Sequence, residues 1–475
     1  MTDKTFSQAK YLAVEAVVGL LTSLLLIVLI SRMQGEVFLG QYVVLTTWIA
    51  VSQSFANLGT SDLILREIGK QPEQGGHLFG AGLVICGTSS VLTTGIMLAV
   101  VHALHYPLDM HTALRIGSLL LLPMAASTLA KSAYIARHKV STYVSIVVIE
   151  YLVFFFLNSY FVMHDYGIVT LMTTMLFAKV VSSAGLLYVL NTTVLKVQWG
   201  LHTELIRCLL GPLGAFSMVG LSAKIFWRVD ILMLSKMTTL GATGLYTSAA
   251  KFLEIYAMLP SMVAQTMFPD MARQYAMKQL DRNDLETTFQ SLCYLVVPLS
   301  IGTFVFAKPL LLILFGERFA LAAPALQLFM LTFIILTIDM LMSITYEAAG
   351  YQRNQMYIAL GNILINIVLN AFLIPIMSFF GACLATFCSL SVSACVHQYL
   401  IARSVFRLRW GRILATPLAL GCAAVLPVLL FRDQLHVSIL GVAYVVLYGL
   451  LLIAVRRLDW LRPRLQAHKQ SLPKV

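Results

Sequence analysis

The sequence predicts an all-α integral membrane protein of about fourteen transmembrane helices: two six-helix lobes related by an internal repeat, then two C-terminal helices. Three observations lead there. Charge is scarce, apolar runs of spanning length follow one another along the chain, and Lys and Arg collect in alternate connecting segments.

Of 475 residues, 59% are hydrophobic and 11% charged, against roughly 25% charged in an ordinary soluble domain. So few charges cannot cover a soluble surface, and lipid must be the solvent over most of the area. The net charge of +12 raises the question of a nucleic-acid partner. The basic residues sit in short segments between apolar runs, not on a basic face, which argues against one. The cysteines (Cys86, Cys208, Cys293, Cys383, Cys388, Cys395 and Cys422) show no CxxC pair and no His at ligand spacing. They read as small buried hydrophobes, with no metal site or cofactor implied. Lys4 and Lys10 precede an apolar stretch too long for a signal-peptide core, so the first helix is expected to stay as an anchor.

A span needs about twenty mostly apolar residues. Runs of that kind predict spans at 9–30, 38–59, 78–103, 114–135, 142–163 and 168–190. After a polar break they resume at 212–235, 243–268, 288–308, 325–347, 354–376 and 379–402, with two more at 412–431 and 437–455. With both termini cytoplasmic, the inner segments hold 23 of the 33 Lys and Arg, and the outer loops hold six: Arg32, Arg115, Lys236, Lys308, Arg318 and Arg432. That bias is the positive-inside pattern, and Trp199, Trp410 and Trp460 fit an aromatic belt at the inner ends.

The repeat shows as Ser31-Arg32-Met33 with Gly40-Gln41-Tyr42, recurring as Ser235-Lys236-Met237 with Gly244-Leu245-Tyr246 at a constant offset of 204. Each copy joins an odd-numbered span to the next. The division expected is 1–206 (spans 1–6), 207–403 (spans 7–12) and 404–475 (spans 13–14 and a basic cytoplasmic tail). Parallel lobes around a central site are a transporter architecture. The repeat also places Lys224, Arg228 and Asp230 within span 7.

Nine ionisable residues are candidates for membrane-embedded groups: Glu15, Glu150, Lys179, Lys224, Arg228, Asp230, Lys251, Glu254 and Asp339. Facing lipid they would together cost on the order of 25 kcal/mol, so they must face one another or a watery cavity. Lys224 and Arg228 share one face of span 7 by spacing, and Lys251 and Glu254 share one of span 8. Arg228 and Lys251 both lie roughly 10 Å deep and could line one cationic pocket selective for an anion. Glu150 and Lys179 could neutralise each other. Blander readings stand beside these. The lysines can snorkel, Arg228 with Asp230 can be structural, Glu15 can reach headgroups, and Glu150 with Lys179 can merely stabilise a lobe. No GxSxG, Walker or HExxH motif is present, so no enzymatic site is expected.

Further segments carry a resemblance. These are Arg228-Val-Asp230, Gly244-Leu-Tyr246 and Ala249-Ala250-Lys251; Leu314-Phe315-Gly316-Glu317-Arg318-Phe319 with Ala322 and Ala323; and Asn362, Asn366 and Asn370 followed by Leu373-Ile374-Pro375, Gly381-Ala382 and Ala385-Thr386. Together they resemble the polysaccharide transporters, in particular O-antigen (Wzx-type) lipid-linked oligosaccharide flippases of the multidrug/oligosaccharidyl-lipid/polysaccharide exporter superfamily. The resemblance implies alternating access and a polyprenyl-pyrophosphate-linked oligosaccharide as substrate, moved across the bacterial inner membrane during lipopolysaccharide biosynthesis and coupled to a proton or sodium gradient. It implies substrate-binding roles for Lys224, Arg228, Lys251 and Lys179, with Asp230, Glu254, Asp339, Glu150 and Glu15 as coupling candidates. Spans 13–14 exceed the twelve of many such flippases; in the related MurJ-type proteins the extra pair is associated with the lipid tail. The alternative within the superfamily is an organic-cation antiporter, which should line its cavity with acids. A membrane glycosyltransferase is the third reading, and the large catalytic loop expected of one is not visible.

Overall fold

The structure, a computed structural model, describes residues 3–104, 106–198, 205–207, 209, 226–431 and 439–454. Every regular element among them is helical, as a bilayer demands of single segments that must satisfy their own backbone groups. In chain order these are α1 (Asp3–Asn57), α2 (Thr60–Lys70), α3 (Gly75–Ala103), α4 (Leu108–Ser118), α5 (Leu121–Ala136), α6 (Val140–Met163) and α7 (Ile168–Val189). They continue with α8 (Val229–Met237), α9 (Leu240–Ala276), α10 (Arg282–Val305), α11 (Ala307–Phe315), α12 (Ala323–Ala348), α13 (Gln352–Ser404), α14 (Trp410–Leu430) and α15 (Ile439–Ala454).

Among the described residues, nine helical stretches are long and apolar enough to cross a membrane, and two of these are double. The 55 residues of α1 would run about 82 Å if straight, far beyond a hydrocarbon core of about 30 Å. The helix breaks at Gly35, with φ 83° and ψ −171°, a region essentially reserved for glycine. α13 breaks likewise at Ser378 (φ 52°). There the chain turns back on itself, and a Cβ on Gly381 would lie 2.2 Å from the Leu373 carbonyl oxygen. The predicted span pairs at 9–59 and 354–402 are the halves of these two helices.

Two local readings change. The predicted span 114–135 is two helices, α4 and α5, stepped at Leu119–Leu120. Pro123 explains the step, since its ring cannot accommodate a helical carbonyl four residues back. Predicted span 7 is not continuous through Arg228: the chain turns at Trp227 and Arg228, and a new helix, α8, begins at Val229. Asp230 in its first turn suits the positive end of a fresh helix. Lys224 lies outside the described residues.

The chain packs as two units, Met1–Thr247 with Ile367–Ala382, and Ser248–Asn366 with Cys383–Val475. In the first, Leu63, Phe79, Leu129, Tyr134, Val144 and Leu186 form the core, while Val91, Leu92, Phe156 and Phe177 are exposed as lipid-facing side chains should be. The repeat glycines meet here. A Cβ on Gly40 would lie 1.8 Å from the Leu240 carbonyl oxygen, and one on Gly244 would lie 2.0 Å from that of Glu36. Glu36 and Leu240 are themselves 204 positions apart, so the contact is reciprocal between equivalent residues, as across a two-fold axis.

In the second unit a proline decides the docking of α15. Pro298 inside α10 has no N–H, which frees the carbonyl of Tyr294 one turn back. Tyr448 of α15 donates its hydroxyl to that oxygen at 2.6 Å, and Tyr444 donates to the Pro298 carbonyl at 2.7 Å. Gly302 leaves room for the Tyr444 ring.

Tyr448→Phe is expected to lower stability by about 1–3 kcal/mol by leaving a buried carbonyl unmet. Gly244→Val must separate two backbones and is expected to exceed ordinary overpacking of about 1–3 kcal/mol. Thermal unfolding of the detergent-solubilised protein checks both, and a wild-type Tm for Gly244→Val would contradict the glycine contact.

Candidate functional site

The intramembrane charges of the first unit sit on α1, α5, α6 and α7. Glu15 of α1 accepts both oxygens' worth of hydrogen bonding from Lys131 of α5, at 2.9 and 2.7 Å, and a further bond from the Tyr143 hydroxyl at 3.2 Å. Glu150 of α6 accepts from Lys179 of α7 at 3.0 and 3.2 Å and from Ser182 at 2.5 Å. The Glu150–Lys179 pairing expected from sequence is therefore formed, with side chains only 9% and 17% exposed. The two clusters adjoin, since the hydroxyls of Tyr143 and Tyr151 each feel both Glu15 and Glu150. Gly19 makes this possible by leaving space for the Tyr151 ring.

Asp230 forms a third cluster in the same unit. Its carboxylate accepts from Tyr246 at 2.8 Å and from the Asn370 side-chain amide at 2.6 Å, and all three residues are buried. Arg228 caps α8 at its start and is half-buried. The asparagine series at positions 362, 366 and 370 lies on one face of α13 by its spacing of four. Asn370 serves Asp230, and Asn366 reaches Ser389 in the second unit at 3.4 Å.

In the second unit Lys251 pairs with Glu254 at 3.0 Å along α9, as their spacing implied. Glu254 is 44% exposed and Lys251 only 11%. Asp339 of α12 is buried and accepts from Ser393 at 2.9 Å. Nδ1 of His397 lies 2.8 Å from the same carboxylate oxygen. His397 Nε2 lies 2.6 Å from Gln355 Oε1, and the Gln355 amide nitrogen donates to Ser343 at 2.6 Å.

A separate cluster holds the start of α14. Glu286 accepts from Arg282 and from the backbone and guanidinium of Arg409, and Trp410 stacks on Phe289. Hydrogen bonding to Glu286 holds the Arg409 guanidinium above its usual pKa.

The structure thus gives partners to Glu15, Glu150, Lys179, Asp230, Lys251, Glu254 and Asp339. It places Arg228 in the first unit and Lys251 in the second. Sequence reasoning missed Lys131, counted with the inner-segment cations although it falls within the predicted span 114–135 and within α5, and it missed His397. The signal for His397 was available: an ionisable ring in the apolar run 379–402 is costly unless paired.

The sequence profile of a family described as polysaccharide biosynthesis protein matches residues 29–324. A probable low-salt glycan biosynthesis flippase, Agl15 of Haloferax volcanii, is 23% identical over 181 residues, which span 37% of this chain and 38% of that relative's length. Among solved structures, lipid II flippase MurJ in an inward closed conformation superposes with a TM-score of 0.78 at 12% identity, covering 96% of this chain and 100% of that one. An inward-facing MATE-family multidrug resistance transporter of the MOP superfamily gives 0.66 at 15% identity, covering 84% of this chain and 95% of that one. A MOP-superfamily transporter from Pyrococcus furiosus gives 0.58 at 15%, covering 87% and 96%. At such identities the structural likeness shows the fold.

Removing one partner of a buried pair leaves an uncompensated charge, at about 3–5 kcal/mol. Lys179→Met is therefore expected to destabilise by that amount, and Lys179→Met with Glu150→Gln to recover most of it. A double-mutant cycle read by thermal unfolding decides this; additive losses would mean the two do not interact.

Proposed function

Because this chain belongs to the polysaccharide biosynthesis protein family, we propose that it is a flippase for polyprenyl-pyrophosphate-linked oligosaccharide repeat units. It carries them from the cytoplasmic to the periplasmic leaflet of the bacterial inner membrane, on the route to O-antigen and lipopolysaccharide. Both termini are cytoplasmic in this reading, as the positive-inside bias supports. Lobes 1–206 and 207–403 alternate access by rocking, and 404–475 adds spans 13–14 and the basic tail. The protein acts as a transporter, not an enzyme, and the uphill step draws on a proton or sodium gradient.

The observation that carries this reading is the charge balance inside the first unit. Of Glu15, Glu150 and Asp339, the acids that keep an organic-cation exporter in play, the first two are each paired with a lysine. These two acids are thereby matched within the unit, while Asp230 is held by the Tyr246 hydroxyl and the Asn370 amide. Lys224, Arg228, Lys251 and Lys179 are the cations offered to the pyrophosphate. Of these, Arg228 is the strongest candidate, since a guanidinium can bind phosphate with two donors at once. Asp230, Glu254, Asp339, Glu150 and Glu15 are the carboxylates offered for coupling.

The test is leaflet-resolved translocation of a polyprenyl-pyrophosphate oligosaccharide in proteoliposomes containing only this protein. Head groups should reach the far leaflet, and Arg228→Ala should abolish the movement while the protein remains in the membrane. Uptake of organic cations with no glycan movement would move the protein to the antiporter branch. Normal flipping by Arg228→Ala would remove that residue from the phosphate site.

A further inference from the structure

Chemistry at Asp339 distinguishes between the two coupling ions. A hard metal cation is held by several oxygen ligands. Asp339 presents its carboxylate to something else: the Ser393 hydroxyl at 2.9 Å and an imidazole nitrogen of His397 at 2.8 Å, both on the same oxygen. A ring nitrogen and a hydroxyl hydrogen occupying that oxygen leave a poor cage for sodium and a good one for a proton.

The proton can be counted. With its amide nitrogen donating to Ser343, Gln355 turns its oxygen to His397 Nε2, so that nitrogen carries hydrogen. One further proton then lies between Nδ1 and Asp339 Oδ1, on either atom, and the pair is neutral. When that proton leaves, the pair is anionic and a ring lone pair faces a carboxylate. A turn of the ring would relieve this by giving up the Nε2–Gln355 hydrogen bond, and a turn of the Gln355 amide would give up its donation to Ser343, so the charge state acts on contacts that join α12 to α13. Charge state and helix packing are coupled through four side chains.

A route also exists. Asp339 and His397 are buried, His397 to 1% exposure, whereas Gln355 is half-buried and Gln352, Arg353 and Asn354 beside it at the start of α13 are exposed. Tyr346 edges the imidazole and stacks on Tyr351 at 4.7 Å, closing the other side. Other charges near the pair are few. Glu347 of α12 feels His397, while Arg353 and Arg403 lie near the ends of α13. The charges of α10 (Arg282, Asp284 and Glu286) gather within its first five residues, where Glu286 is taken by Arg282 and Arg409. Lys308, Glu317 and Arg318 flank the opposite end of α12.

We infer that Asp339 and His397 form a proton-binding site, loaded and emptied through Gln355 from the end of the membrane where α12 meets α13, and that the coupling ion of the proposed flippase is the proton. This rests on the flippase reading for its purpose but not for its existence. The proton site is tested first without substrate, by infrared difference spectroscopy of the purified protein across a pH series. A protonated-carboxyl band should titrate, vanish in Asp339→Asn and shift its midpoint in His397→Asn. A band unaffected by either substitution would overturn the site.

Coupling is tested in proteoliposomes by the ratio of glycan translocation with and without a pH gradient, sodium being replaced by N-methylglucamine. The ratio should be severalfold in the wild type and near one in His397→Asn. A sodium requirement, or a wild-type ratio in the variant, would overturn the coupling. Should His397→Asn fail to fold, Ser393→Ala removes a single hydrogen bond and should move the midpoint in its place. If no glycan moves under any condition while the band still titrates, the flippase reading fails and the proton site stands.

Discussion

Inside hydrocarbon a charged side chain has no water to fall back on, and the arrangement of this protein follows from that. Each acid that the sequence buries in the first unit is met by donors from other helices: Glu15 by Lys131 and Tyr143, Glu150 by Lys179 and Ser182, Asp230 by Tyr246 and Asn370. These bonds also fix the helices. Lys131 reaches Glu15 only if α5 lies beside α1, and Lys179 reaches Glu150 only if α7 lies beside α6. Satisfying the charges and choosing the packing are one problem, because a helix misplaced by a turn would strand an ion at several kcal/mol.

The same constraint governs the backbone. A proline inside a helix releases an acceptor, and at Pro298 that acceptor is answered locally. Pro298 frees the Tyr294 carbonyl, and Tyr448 fills it. That bond gives α15 a specific seat on α10, where dispersion between apolar helices would leave it free to slide. The breaks at Gly35 and Ser378 instead divide helices too long for the bilayer. Gly40 and Gly244 then allow backbone to touch backbone, the close approach that small residues supply where no hydrophobic drive separates protein from lipid.

Much of this could be read from residues alone, for identifiable reasons. Span-length runs and the Lys/Arg bias are properties of whole segments, and the helices fall close to where they predicted. Glu150 and Lys179 were legible as a pair because they sit at matching depths in consecutive spans. Glu15 with Lys131 was not, since 116 residues separate them and Lys131 lies near the inner end of its predicted span, where it counts with the inner cations. His397 and Asp339 are 58 residues apart, and no spacing rule links them. The repeat was visible as an offset, but equivalence in sequence does not say that the equivalent glycines touch. The break at Arg228 was hidden because the flanking residues stay apolar, and the partners that hold Asp230 just beyond it, Tyr246 and Asn370, come from other helices.

The partners chosen for the acids differ in a way that matters for transport. Glu15–Lys131 and Glu150–Lys179 are carboxylate–ammonium pairs that tie α1 to α5 and α6 to α7 in the first unit. A carboxylate held by imidazole is different, because histidine is the side chain whose charge changes between about pH 5 and 8. A protein that used its buried acids only for packing would gain nothing from placing a histidine in hydrocarbon, where lysine or an amide would serve. The second unit does place one there, orients it with Gln355, and sets its other nitrogen against the Asp339 carboxylate. Lysine partners in the first unit and an imidazole partner in the second thus set the buried acids of the two units in different chemistry.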